Sequence, residues 1–193
     1  MPEISYVQAL HDALEEEMER DDRIFILGED LAIGYPFGVT KGLQERFGAE
    51  RVINTPMSEA SFVGAATGAA ITGMRPVVDI MFDNLMWLAM EQIVNQAAKL
   101  RYMSGGQLRV PVVIRSPTGF WGSFAAQHSD SLAARLMGIP GLTVVTPSTP
   151  RDAKGLLKSS LRSDDPVVFL EHKQLYLSKG VVPEEAELIP LGR

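Results

Sequence analysis

The chain has 193 residues, 46% of them hydrophobic and 22% charged, with a net charge of −6 and a pI near 5.1. That composition supports one buried core, argues against disorder as the main state, and leaves no basic field or cluster of Lys/Arg with aromatics for gripping nucleic acid. Zero cysteines exclude disulfides, thiolate catalysis and cysteine-ligated metal centres.

The first residues, Met1 to Ser5, carry neither an apolar signal core nor an Arg/Ser-rich transit pattern, so a cytoplasmic location is expected. Ser5 is placed to cap a helix in which Val7, Leu10, Leu14 and Met18 face inward and Glu15, Glu16, Glu17 and Glu19 face water. Arg23 to Gly28 reads as a short buried strand, and a turn-rich stretch follows from Ala32 to Gly38. Helices are expected over Ser58 to Thr72, Leu85 to Tyr102, Ser129 to Met137 and Thr149 to Leu161, the last with Pro150 at its first position. Strands are expected over Pro76 to Met81, Pro111 to Arg115, Leu142 to Val145 and Val167 to Leu170. Alternation of this kind requires crossover connections, so the expected fold class is α/β: three-layer α/β/α with a mostly parallel sheet. The apolar stretch Ala60 to Met74 is broken by Gly64, Gly68 and Gly73 and is too short for a bilayer; no membrane role is expected. After Leu170 the periodicity decays. Pro183-Glu184-Glu185 and the run from Ile189 to Arg193 have no pattern, so residues 1–178 read as one domain and 179–193 as a linker toward a second.

Glu59 stands alone in the first turn of a helix otherwise nearly free of charge. Two readings are open: a carboxylate favoured by the helix dipole or cap, and an acid in an apolar cleft where desolvation favours its protonated form and lets it share a proton with a ligand nitrogen. Gly64, Gly68 and Gly73 lack dinucleotide-fingerprint spacing, and small residues four apart suit close packing or a subunit interface. His128 lies in a loop beyond a strand end, where open parallel sheets place ligands; a lone loop histidine is also often structural, and His11 and His172 have weaker claims. There is no histidine pair with metal-ligand spacing and no Gly-x-Ser-x-Gly elbow.

Gly28-Glu29-Asp30, Thr55-Pro56-Met57-Ser58-Glu59, the run from Asn95 to Gly106, Ala126-Gln127-His128-Ser129 and the run from Val144 to Leu157 occur together in this order. The sequence closely resembles the beta subunit of the thiamine diphosphate-dependent decarboxylating component of 2-oxo acid dehydrogenases, the group that includes pyruvate, branched-chain and acetoin dehydrogenases. The resemblance implies the thiamine diphosphate pyrimidine-binding fold. It implies that Glu59 hydrogen-bonds the aminopyrimidine ring nitrogen and promotes loss of the thiazolium proton, that Glu29 lines the cofactor cleft, and that His128 assists protonation or acyl transfer to lipoamide. It also places Val112, Ser160, Ser163 and Asp165 where several members bind a structural potassium ion.

Two departures stand out. Leu85 occupies the position where members commonly place an aromatic ring against the pyrimidine, so the contact there would be aliphatic. Asp130 stands where glutamine is frequent, preceded by the bulky Phe120-Trp121. The motif that binds magnesium and the cofactor's diphosphate is missing, and the family assigns it to the alpha subunit. The resemblance therefore implies an alpha subunit as obligatory partner, a second beta subunit, a lipoyl acyltransferase core and a 2-oxo acid substrate. The alternatives are a catalytically silent assembly module and a fragment of another transketolase-like thiamine enzyme.

Overall fold

The computed structural model describes residues 2–183 and 187–192. In chain order its strands are β1 (Glu3–Ser5), β2 (Ile24–Gly28), β3 (Val52–Asn54), β4 (Arg75–Asp79), β5 (Val113–Thr118), β6 (Thr143–Val145), β7 (Val167–His172) and β8 (Lys179–Val181). The α-helices are α1 (Tyr6–Arg20), α2 (Leu43–Phe47), α3 (Glu59–Ile71), α4 (Ala98–Met103), α5 (Ala133–Leu136) and α6 (Pro150–Arg162). Six strands form one sheet in the order β3-β2-β4-β5-β7-β6, every pairing parallel, as the alternating pattern requires.

Helices cover both faces, which is why β5 is buried at every residue and β7 at all but its last, instead of alternating. On one face α1 and α6 bury Tyr6, Leu10, Leu14, Met18, Leu157 and Leu161 against Val167 and Phe169. On the other, α3 and the helical run after β4 bury Val63, Ala66, Ile93 and Ala97 against Val78, Ile114, Val168 and Leu170. Each fully buried Leu or Ile contributes about 1.5–3 kcal/mol. No helix among the described residues is long and apolar enough to cross a membrane.

Local sequence signals account for the ends of the two long helices on the first face. The Ser5 hydroxyl accepts the Gln8 N–H at 3.2 Å, and the Thr149 hydroxyl accepts the Asp152 N–H at 3.1 Å with Pro150 in the first turn. One expectation for α1 is overturned: Glu17 does not face water but is 1% exposed. The reason lies in the partner helix. α6 runs along α1 and presents cations, so that Arg162 donates to Glu17 at 2.6 Å while Lys154 and Lys158 pair with Glu16. Burial alone would raise the Glu17 carboxyl, but Arg162 and Arg20 hold it below the usual carboxylate range.

The helix expected over Leu85 to Tyr102 is continuous but irregular. It begins as a 3-10 segment, Asp83–Ala89, passes through a π-helical stretch, Gln92–Ala97, and only then becomes α4. Asp83 is turned inward, where Oδ2 accepts the Thr118 hydroxyl at 2.5 Å and the Leu132 N–H at 3.1 Å. The helix expected over Ser129 to Met137 contracts to α5, because residues 126–128 form their own 3-10 turn and the Asp130 carboxylate accepts the following N–H of Ser131. β1, β3 and β8 were not expected; within the stretch read as a linker, β8 pairs antiparallel with β1 and the Ile189 N–H donates to the Gly155 carbonyl at 3.3 Å. Glu184, Glu185 and Arg193 of that linker lie outside the described residues, as does Met1.

The topology leaves a crevice at one end of the sheet. From β2 the chain crosses to β3 on one side, while from β4 it moves to β5 on the other. Adjacent strands whose connections diverge leave a crevice beyond their C-terminal ends, the usual ligand position in open parallel sheets. β2 and β4 approach closely there: a Cβ on Gly28 would sit 2.3 Å from the Asp79 carbonyl oxygen, so only glycine fits.

Candidate active site

Glu59 opens α3 at this crevice. The segment leading to it turns out of β3 and is tied to β2 by the Thr55 N–H donating to the Gly28 carbonyl at 2.8 Å. Ser58 supplies no side-chain cap; its hydroxyl goes to Ser61 at 2.7 Å. Glu59 is 7% exposed, and among the described residues its carboxylate makes no side-chain hydrogen bond or ion pair. The dipole of α3 favours a negative charge at this position, worth about 0.3–1 kcal/mol. Four residues earlier the Thr55 hydroxyl is buried with no hydrogen-bond partner.

Glu29, the residue after β2, is half-buried beside them. Burial pushes its carboxyl above the usual range, and the charges of Glu59 and then Asp30 push it further. The structure thus brings Glu29 and Glu59 into one electrostatic environment, an acidic and partly dry set with an orphaned hydroxyl. Such a set accepts N–H groups from an amino-heterocycle and repels phosphate.

His128 arrives at the same edge of the sheet from the loop after β5. Its imidazole lies against Phe82, centroids 4.1 Å apart and planes at 40°. Phe82 is 2% exposed and terminates the segment leaving β4. Around it gather Phe37, Phe124 and Trp121: Phe37 and Phe124 lie 6.2 and 5.8 Å from Phe82, and Trp121 lies 6.0 Å from Phe124. Phe37 also stacks on Tyr176 at 4.6 Å. This aromatic wall, with Asp83 and Lys173 behind it, was not read from sequence. Phe82 had one available signal, its position just past the C-terminal end of an apolar strand.

Leu85 is half-buried in the 3-10 segment that packs on α3, its side chain against the core that holds Phe62 and Met86. His11 and His172 are used elsewhere: His11 Nδ1 is 2.9 Å from the Val39 carbonyl, and His172 Nδ1 accepts the Gln174 N–H at 3.3 Å. Below the aromatic wall runs a buried ion network. Arg115 donates to both oxygens of Glu171 and to Asp79, and the Tyr176 hydroxyl donates to Glu171 at 2.7 Å. Burial raises the Asp79 carboxyl, Arg115 lowers it, and Glu171 raises it again; the net direction is upward.

Val112, Ser160, Ser163 and Asp165 come together near the opposite, N-terminal ends of β5 and β7, and their oxygens are already engaged. The Val112 carbonyl accepts the Val167 N–H, the Ser160 carbonyl accepts the Ser163 N–H, Arg75 donates to the Ser163 carbonyl, and Arg101 pairs with Asp165. The guanidinium of Arg75 already supplies positive charge to this turn, so the donor set does not fit a further cation. Among the described residues no group of three or more His, Asp or Glu side chains is arranged to hold a metal. A cavity of about 700 Å³ lies at this same far end, lined by Arg101, Tyr102, Gly106, Leu142 and Asp165. It contains none of the crevice residues, and the chemistry of the crevice outweighs the size of the cavity in placing the site.

Comparison with known proteins gives a consistent result. The family described as "Transketolase, pyrimidine binding domain" matches residues 2–179. The chain is 46% identical to the 2-oxoisovalerate dehydrogenase subunit beta of Bacillus subtilis (strain 168) over 195 residues, covering 100% of this chain and 60% of the relative. It is 48% identical to the pyruvate dehydrogenase E1 component subunit beta of Rickettsia bellii (strain RML369-C), covering 99% and 59%, and 48% identical to the acetoin:2,6-dichlorophenolindophenol oxidoreductase subunit beta of Cupriavidus necator, covering 98% and 59%. The chain therefore spans about three-fifths of the length of these curated relatives. Among solved structures, a protein titled "Split gene transketolase, inactive beta4 tetramer" superimposes with a TM-score of 0.73 at 19% identity, covering 97% of this chain and 57% of that one. Transketolase from Leishmania mexicana gives 0.70 at 20% identity, covering 88% and 25%; at these identities the likeness concerns fold alone.

Proposed function

Because this chain belongs to the transketolase pyrimidine-binding domain family, we propose that it forms the beta-subunit half of a 2-oxo acid dehydrogenase's decarboxylating component, active only with an alpha subunit. The observation that carries the reading is Glu59, a largely buried acid with no protein partner for its carboxylate among the described residues, at the switch point of the sheet, with an orphaned Thr55 hydroxyl and a second acid, Glu29, beside it.

Bound there, thiamine diphosphate would supply the nucleophilic carbon and electron sink for decarboxylation. The residues of this chain do the rest. Glu59 holds a proton on the pyrimidine ring nitrogen, and in a dry crevice such a charge-assisted hydrogen bond is worth about 1.5–3 kcal/mol. Glu29 and the Thr55 hydroxyl line the same crevice, and Leu85 lies on the adjoining 3-10 segment. His128, held against Phe82, would move a proton at the oxygen of the reacting carbonyl and assist transfer of the acyl group to a lipoyl arm. Glu29, Asp30 and Glu59 oppose a diphosphate, which supports assigning the diphosphate and magnesium to the alpha subunit. A second beta subunit, a lipoyl acyltransferase core and a cytoplasmic location complete the proposal. Potassium is left out of it, because Arg75 already serves the turn that would hold the ion.

Reconstitution with an alpha subunit, thiamine diphosphate and magnesium tests the reading. Wild-type chain should restore decarboxylation of a 2-oxo acid and Glu59→Gln should lower kcat by about 10²–10⁴-fold, the range for a lost acid–base group. Equal activity in the two would reject the role of Glu59, and an assembled complex with no thiamine diphosphate site would favour the silent-module alternative.

A further inference from the structure

The loop that carries His128 has unusual backbone demands. Ser123 (φ +57) and Ala125 (φ +64, ψ −175) adopt conformations that favour glycine, and the Ala125 pair is one that L side chains almost never occupy. A loop holding such residues needs fixed points on both sides. Its base is closed by the Gly119 N–H donating to the Asp130 carbonyl at 2.8 Å, and Gly119 itself packs against the His172 ring, where a Cβ would come within 2.4 Å of Nε2.

The fixed point nearest the imidazole comes from another strand. Lys173 follows β7, is 1% exposed, and donates its Nζ to the main-chain carbonyl of His128. The same ammonium lies 5.2 Å from the centroid of the Phe82 ring, and Phe82 is the ring on which the His128 imidazole rests. Lys173 therefore touches both the backbone of His128 and the ring that sets the tilt of its side chain. The fully buried Asp83, whose Oδ1 has no hydrogen-bond partner, balances this charge: burial lowers the Lys173 pKa and the Asp83 carboxylate opposes that shift. A lysine kept out of water, beside a carboxylate and under an aromatic ring, is costly unless it does something.

We infer that Lys173 is a positioning residue for His128: its buried ammonium pins the His128 carbonyl and the Phe82 ring together, fixing the imidazole at the crevice. The positional claim stands on geometry alone, while its consequence for acyl transfer rests on the function proposed above. The acting group remains His128, and Lys173 works through it.

The test has two arms. The first uses the 193-residue chain, which contains only three histidines, so that His11→Gln and His172→Gln assign the ring resonances by elimination. The His128 ring protons should be shifted upfield by the face of Phe82, Lys173→Met should abolish that shift, and Lys173→Arg, which keeps a cationic donor, should retain most of it. Wild-type His128 without a ring-current shift, or Lys173→Met with the wild-type shift, overturns the inference. Should Lys173→Met fail to fold, Lys173→Gln paired with Asp83→Asn removes both charges together and is held to the same shift criterion.

The second arm uses the reconstituted complex. Lys173→Met should lower acyl transfer to lipoamide by about tenfold to a hundredfold, the scale of a misplaced catalytic group, with thiamine diphosphate binding unchanged and partial rescue by Lys173→Arg. In a His128→Ala background the same substitution should have no further effect, whereas a merely structural lysine would give additive losses, and additivity overturns the inference. If His128→Ala alone is fully active, the catalytic reading of His128 fails while the resonance arm still decides the tether.

Discussion

Replacing Arg115 by Met isolates the ion network beneath the site. In the wild type one guanidinium serves two carboxylates: it reaches both oxygens of Glu171, which is 0% exposed, and one of Asp79. Methionine fills much of the same volume but leaves two carboxylates together with only the Tyr176 hydroxyl, donated at 2.7 Å, to stabilise them. Removing one member of a buried ion pair typically costs about 3–5 kcal/mol, and at roughly 2–4 °C per kcal/mol for a chain of this size the melting temperature should fall by about 6–20 °C. The pH dependence carries the sign. Because burial raises the Asp79 carboxyl, the folded chain binds its proton more tightly than the unfolded chain does. That contribution is complete below the unfolded value of about 3.9 and is lost as pH rises through the folded value. Without Arg115, which lowers it, the folded value climbs further, so the penalty should be largest at about pH 7.5 and shrink at about pH 5. Urea titrations of wild type and variant at both pH values measure this directly. A penalty under about 1 kcal/mol, or one equal at the two pH values, would mean that Arg115 does not hold the two buried carboxylates in their charged form.

Gly28→Ala forces a methyl against the Asp79 carbonyl at the closest approach of β2 and β4, and should cost about 1–3 kcal/mol in a thermal melt; a neutral result would mean that the two strands separate without penalty. Exchanging sodium for potassium at constant ionic strength should leave the melting temperature unchanged, since the oxygens of the Ser160–Asp165 turn already accept from N–H groups and Arg75; a selective rise with potassium, abolished by Asp165→Ala, would restore a cation to that turn. In the reconstituted complex His128→Ala should damage lipoyl-dependent transfer by about 10²-fold or more while leaving cofactor affinity within a few-fold; unchanged acyl transfer would remove His128 from the chemistry.

The sheet was legible because parallel strands buried on both faces leave apolar runs bounded by glycine and proline, and all five runs expected on that basis form strands of the six-stranded sheet. β3 escaped because only Val52 of its three residues is buried, too little to make a pattern. The place of Glu59 at the start of α3 was legible for the same kind of reason, since a single charge stands out in an otherwise uncharged helix. Glu17 was misread because a helical period cannot tell that Arg162, far along the chain, will cover one more position of the polar face. The link from Phe82 to His128 and Lys173 was invisible, since its members come from three different strand ends and each alone is an ordinary residue. The irregular helix after β4 follows from Asp83 turning inward to Thr118 and Leu132, a tertiary contact that periodicity does not encode.

In the proposed function the carboxyl of Glu59 relays a proton to the pyrimidine of the cofactor. Exchange of the thiazolium C2 proton for deuterium, followed by quenched-flow NMR in the reconstituted complex, reads that relay before any substrate binds. Glu59→Gln should slow the exchange by about 10²-fold or more at saturating cofactor. Exchange at the wild-type rate in the variant would mean that Glu59 does not relay the proton, whatever became of turnover.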